Sequence, residues 1–179
     1  MADNARPRLW LKHLSFILLA LTLIFLQLLP LNTAPRQWPL PDFLLLLTFV
    51  WVVRRPDFVS VLAVGGIFLM ADFLFHRPPG LMAAIVVLAT EALRSRAHGL
   101  RTASFGLEWL TVGLAVAAVT LAGRFALTLV MLPQAPLGLT LLQMVMTILA
   151  YPLAVAFAWG IFGVSRPAPG EVETTGQRP

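Results

Sequence analysis

The stretch from Leu137 to Phe162 carries no charged residue, and the run from Leu107 to Leu132 carries only Glu108 and Arg124. Runs of that kind approach or exceed the ~18 apolar residues that a helix needs to cross a lipid bilayer. The whole chain has 179 residues, of which 59% are hydrophobic and only 12% charged. A water-soluble domain of this length has too little interior for so many apolar side chains. The sequence therefore predicts an all-α integral membrane protein, one compact bundle of six transmembrane helices without a soluble domain.

The predicted helices are about 9–29, 42–53, 57–75, 80–93, 107–132 and 137–162, followed by a polar tail at 165–179 expected to be disordered. The first run is preceded by Arg6, Arg8 and Lys12, as in a signal peptide. It is long, however, and "LNTAPR" after it is a poor small-x-small cleavage site, so it reads as an uncleaved first helix. Six crossings with the N-terminus in the cytoplasm put Arg6, Arg8, Lys12, Arg54, Arg55, Arg94, Arg96, Arg101, Arg166 and Arg178 inside. Only Arg36 and Arg77 then lie outside, with Arg124 inside a helix. That is the bias that sets membrane orientation, and it places both termini in the cytoplasm. Trp10, Trp51, Trp109 and Trp159 then fall at inner ends and Trp38 at the outer face, as an interfacial belt requires. Segments 42–53 and 80–93 are short for a ~30 Å hydrocarbon core. Reading 42–53 as a re-entrant hairpin would move Arg54 and Arg55 outside, against the charge bias.

The formal charge of +5 does not point to nucleic acid, because the basic residues cluster in short loops beside apolar runs. With no cysteine there are no disulfides, thiolate metal sites or thiol nucleophile. His13, His76 and His98 are scattered, no HExxH, GxSxG or phosphate-cradling glycine loop occurs, and the carboxylates are unpaired in sequence. The expectation is a non-enzymatic protein without metal or cofactor.

The interruptions carry the remaining information. "PDF" occurs at 41–43 and 56–58, each time where an apolar run begins. Proline suits a first helical turn and aspartate caps it, so Pro41, Asp42, Pro56 and Asp57 read as two helix starts of similar chemistry. Between them, Arg54 and Arg55 pin an inner turn. Gly65 and Gly66 allow close packing, and Asp72 with "HRPPG" ending at Gly80 closes the next helix. Asp72 and Arg124 share a leaflet and have opposite sign. Wetting at a helix end, an intramembrane ion pair and a substrate or proton role are all open for Asp72. Gly113, Ala117, Thr120 and Arg124 share one helix face that suits close helix approach. Gln143, Thr147 and Tyr151 form a polar stripe before Pro152, which frees a backbone carbonyl that Thr147 or Tyr151 could satisfy. Glu91, Glu108 and the stretch Arg94–Thr102 read as a cytoplasmic interface, the last as a basic loop.

"PDFLLLL" at 41–47, "RRPD" at 54–57, Gly65-Gly66, "LMAD" ending at Asp72, "PPGL" at 78–81 and Arg94 together resemble the MreD family of bacterial rod-shape-determining proteins. The resemblance covers about residues 40–96; where family members commonly carry a glycine after the aspartate, this chain reads "FLFHRP". It implies a membrane scaffold of the cell-elongation machinery. Its partners would be MreC directly, with RodA, its class B transpeptidase and MreB in the same complex. It also implies a fold similar to the substrate-binding subunits of energy-coupling-factor transporters, which makes a vitamin-type small-molecule binder the rival. Pro41, Asp42, Arg55, Pro56, Asp57, Gly65, Gly66, Asp72, Gly80, Gly113 and Ala117 are the candidate packing or partner residues. A vitamin binder needs several convergent polar groups in an outer pocket, and the sequence offers few there, which favours the scaffold.

Overall fold

The computed structural model describes residues 6–29 and 39–162. The described residues form six α-helices: α1 Arg6–Leu28, α2 Phe43–Arg54, α3 Val61–Leu74, α4 Leu81–Thr102, α5 Phe105–Leu129 and α6 Leu137–Phe162. A short 3-10 turn, Pro56–Phe58, lies between α2 and α3. No strand occurs among the described residues. The tail at 165–179 and the positions of Arg36 and Trp38 lie outside them. Among the described residues, two helices are long and apolar enough to cross a membrane, Phe105–Leu129 and Leu137–Gly160, while Lys12–Leu28 of α1, α2 and α3 are shorter apolar helices.

Every residue of α2 from Leu44 to Arg54 is buried. A helix that is hydrophobic all round has no face to give to water and must be enclosed. Here α4 and α6 flank α2, with α1 and the 3-10 turn closing the remainder. Its 12 residues span ~18 Å at 1.5 Å per residue. Since α2 meets protein on all sides, its length answers to its neighbours. α1 contributes a buried stripe of Phe16, Ala20 and Ile24, and the Phe16 ring lies 5.6 Å from that of Trp51 in α2.

The fourth helix differs from the short segment and basic loop expected at 80–93 and 94–102. α4 continues through Arg94 to Thr102. The reason is a stripe that does not stop: Ala83, Val86, Thr90, Leu93, Ala97 and Leu100 are all buried and recur every three or four residues. The charges ride on the opposite face, where Glu91, Arg96 and His98 are exposed.

The two "PDF" tripeptides also part company. Asp42 caps α2 as expected, its Oδ1 accepting from Leu45 N at 3.0 Å. Pro56-Asp57-Phe58 makes only the 3-10 turn, and Asp57 is exposed. Val59, buried and extended, separates it from α3, whose cap is Ser60, accepting from Ala63 N at 3.1 Å. Leucines continue the first helix, whereas a β-branched valine and a strong capping serine divert the second. Arg94 holds this turn in place by donating to Pro56 O at 3.1 Å and Val59 O at 2.7 Å. Arg55 stands over the Phe58 ring at 5.6 Å.

Two helices end in the same hydrogen-bonded reversal. In α3, His76 N donates to Phe73 O and Arg77 N to Asp72 O, and His76 sits at φ 54. In α5, Met131 N donates to Thr128 O and Leu132 N to Leu127 O, with Met131 at φ 56. This pattern usually places glycine at the left-handed residue.

Candidate functional site

The polar groups of the bundle gather in two layers, one at each end of α2. At the Arg54 end, Arg54 Nε donates to Glu108 Oε1 at 3.1 Å and Nη2 approaches Oε2 at 3.5 Å. Tyr151 donates its hydroxyl to the same Oε1 at 2.7 Å. Glu108 and Tyr151 have no exposed surface and Arg54 has 9%. The layer joins α2, α5 and α6 through one carboxylate. Arg54 and Glu108 were expected to sit separately at a wet interface. The fold instead brings them together, because α2 ends inside the bundle and α5 begins beside it. Their opposite charges at matching depth were the available sequence signal.

Trp109, the neighbour of Glu108, resolves the consequence of Pro152. Proline has no N–H to give the carbonyl four residues earlier, that of Ile148. Trp109 Nε1 donates to Ile148 O at 2.8 Å. Neither Thr147 nor Tyr151 performs this task, since both are committed elsewhere. Gly113, one turn further along α5, lets the helices meet: a Cβ there would stand 3.4 Å from Ile148. Ala117 is half-buried on the same helix. Trp51 is likewise no belt residue: it is fully buried, its ring 5.6 Å from Phe16 and 6.4 Å from Phe58.

The polar stripe of α6 runs the length of α2. Tyr151 reaches Glu108 at one end, Thr147 accepts from Asp42 N at 3.0 Å at the other, and Gln143 donates to Leu40 O at 3.3 Å just beyond. These bonds tie both ends of the central helix to one neighbour.

At the Asp42 end the charges do not pair with one another. Asp72 is fully buried, and its Oδ2 accepts from Ala83 N at 3.2 Å in the first turn of α4. Gly80 occupies the cap position of α4 with φ 84 and has no side chain to offer. Asp72 supplies from α3 what Gly80 cannot, a negative oxygen at the positive end of the helix. Its other oxygen, Oδ1, has no hydrogen-bond partner. Arg124 donates from Nη1 to Ala135 O at 3.0 Å and to Thr140 Oγ1 at 2.8 Å. Of the expected alternatives for Asp72, a wetted end and a pair with Arg124 are thus both replaced by an interhelical cap. Arg54–Glu108 and Arg94–Glu91 are ion pairs among the described residues.

Gly65 packs against α4, where a Cβ would lie 3.6 Å from Val87, while Gly66 faces open space with nothing within 4 Å. Leu62, Leu69 and Phe73 share that exposed side of α3.

Between the start of α2, the α3–α4 turn, α5 and α6 lies a cavity of about 270 Å³. Asp42, Arg77, Thr120, Arg124, Gln134, Thr140, Gln143 and Thr147 bring polar groups to it, and Leu45, Leu81, Met82, Val116, Val119, Leu127 and Met144 make apolar walls. The sequence reading that this end is poor in convergent polar groups is therefore corrected. The groups come from five separate stretches of chain, and only the packing assembles them. No set of His, Asp or Glu residues placed to hold a metal ion occurs among the described residues.

Comparisons with protein-family models, with curated proteins and with solved structures returned no match.

Proposed function

We propose that the chain is a non-enzymatic helical scaffold of the bacterial cell-elongation complex, embedded in the inner membrane by six crossings with both termini cytoplasmic. The observation that carries the membrane part is an inverted distribution of polarity. Charged Arg54, Glu108 and Asp72 are buried, while Leu110, Leu114, Leu121, Phe125, Leu149, Leu153 and Phe157 are exposed on α5 and α6. That arrangement suits lipid as the surrounding solvent, where polar groups are satisfied inside. The elongation role rests on the MreD-like residues between 40 and 96. The outer side of α3, where open Gly66 lies among Leu62, Leu69 and Phe73, supports docking of a partner's single helix. MreC is that partner in this reading, with RodA, the class B transpeptidase and MreB in the same assembly.

Depletion in a rod-shaped host tests the role: cells should round or swell while vitamin uptake continues. The cavity at the Asp42 end favours a second reading, a small-molecule-binding membrane subunit of a transporter. Cells that keep their shape and lose uptake of a vitamin would establish that one in its place.

A further inference from the structure

The cavity at the Asp42 end has an unequal balance of spent and unspent hydrogen-bonding capacity. Arg124 uses Nη1 on Ala135 O and Thr140 Oγ1, and neither its Nε nor its Nη2 donates to any described residue. Arg77 stands with its guanidinium 5.3 Å from the Phe75 ring centre, and none of its side-chain nitrogens has a hydrogen-bond partner among the described residues. Asp42 spends Oδ1 on capping α2, which leaves Oδ2 as an acceptor, and Gln143 spends only its amide nitrogen, on Leu40 O. The site therefore presents two guanidinium groups against one carboxylate, an excess of one positive charge beside a wall of Val119, Leu127 and Met82.

We propose that this cavity binds a singly charged phosphate or carboxylate group. A guanidinium presents paired N–H groups in the geometry of a phosphate or carboxylate edge. Two guanidiniums against one aspartate accommodate one negative charge, and Asp42 opposes a second. Asp42 Oδ2 and Gln143 Oε1 accept from a hydroxyl or amine carried by the anion. A cavity of about 270 Å³ gives room for a head group and not for a whole lipid, whose chains would leave along the apolar wall. The anion can come from a lipid head or from a free solute. The inference rests on the membrane placement of the proposed function and is independent of any role in cell elongation. Resistance of the protein to alkaline carbonate extraction checks that placement separately.

The test uses the full chain purified in dodecyl maltoside and stripped of lipid. It is titrated with dihexanoylphosphatidylglycerol, inorganic phosphate and dihexanoylglycerol, with one-to-one adducts read by native mass spectrometry and affinities by calorimetry. Dihexanoylphosphatidylglycerol should bind one to one and dihexanoylglycerol should not. Losing a charge-assisted hydrogen bond changes affinity by about ten- to a hundredfold, so Arg124→Gln and Arg77→Gln should each weaken binding by that order. Arg77 makes no side-chain hydrogen bond to the described residues, so Arg77→Gln decides if Arg124→Gln does not fold. Phosphate binding as tightly as the lipid would assign the site to a free anion; phosphate binding far more weakly assigns it to a lipid head. No binding of either anion, or binding unchanged in Arg77→Gln, overturns the proposal.

Discussion

The two ends of α2 handle buried charge in opposite ways. At the Arg54 end, Arg54, Glu108 and Tyr151 satisfy one another within 3.5 Å and are almost fully buried. At the Asp42 end, Asp72 is held by a backbone N–H of α4 and Arg124 by the 133–140 corner, and a cavity stays open nearby. The closed layer fixes helices α2, α5 and α6 relative to each other. The open layer keeps donors available. A charge that pairs inside a bundle contributes to its architecture, whereas one held by a single backbone group keeps capacity for something else.

The largest effect should come from breaking the closed layer. Glu108→Gln removes the negative charge while keeping the side chain's shape, and Arg54 is then buried without compensation. Such truncations cost about 3–5 kcal/mol, to be measured by sodium dodecyl sulfate unfolding of the detergent-purified protein. Arg54→Met should cost about as much. The double variant Arg54→Met with Glu108→Leu should be less destabilised than the sum of the single changes, because neither charge is left alone. A Glu108→Gln protein as stable as the parent would erase the contrast between the ends, since it would mean that water reaches Arg54.

A smaller loss is expected at Asp72. Its Oδ2 caps α4, so Asp72→Ala should cost about 0.5–2 kcal/mol, the range for a lost cap. Asp72→Asn retains an acceptor and should cost less. The charge-swapped double variant, Asp72→Arg with Arg124→Asp, should recover nothing, because the two side chains do not share a bond. Recovery in the swap, read as folded protein extracted from the membrane, would show that the two residues meet and that the open end also pairs its charges.

How legible all this was depends on the range over which each signal acts. The Asp42 cap and the helix over Leu137–Phe162 were readable because caps and apolar runs are local. α4 was readable in principle: Leu93, Ala97 and Leu100 extend its stripe into the stretch that its arginines made look like a loop. The "PDF" echo misled because three identical residues do not outweigh Val59 and Ser60 after them. Pro152 announced an orphan carbonyl but not its partner, since Trp109 is 39 positions from Ile148 and only α5–α6 packing joins them. The Arg54–Glu108 contact spans 54 positions, and the cavity at the other end collects side chains from Asp42 to Thr147. Equal depth and opposite charge suggested Asp72–Arg124, and the same signal went unread for Arg54–Glu108. The fold built the second and not the first, because α4's unfilled N-terminus claims Asp72.

The smallest effect concerns how α3 stops. Its last turn closes with Arg77 N on Asp72 O and His76 N on Phe73 O, which forces His76 to φ 54. For residues with a Cβ, the left-handed conformation costs about 1–2 kcal/mol, and glycine adopts it without that clash. Glycine also makes the unfolded chain more flexible, which costs about 0.5–1 kcal/mol on folding. His76→Gly should therefore stabilise the protein by only about 0.5 kcal/mol, the remainder after these opposing effects. His76→Val should destabilise it, since a β-branched side chain is least tolerated at positive φ. The reversal lies between Asp72 and Gly80, so stiffening it should also hold Asp72 against Ala83 N. Hydrogen exchange at Ala83 reads this directly: slower exchange in His76→Gly supports the shared role, and an unchanged rate with raised stability would mean that the turn and the Asp72 cap act separately. A loss of stability in His76→Gly would mean that the imidazole makes a contact worth more than the strain it carries.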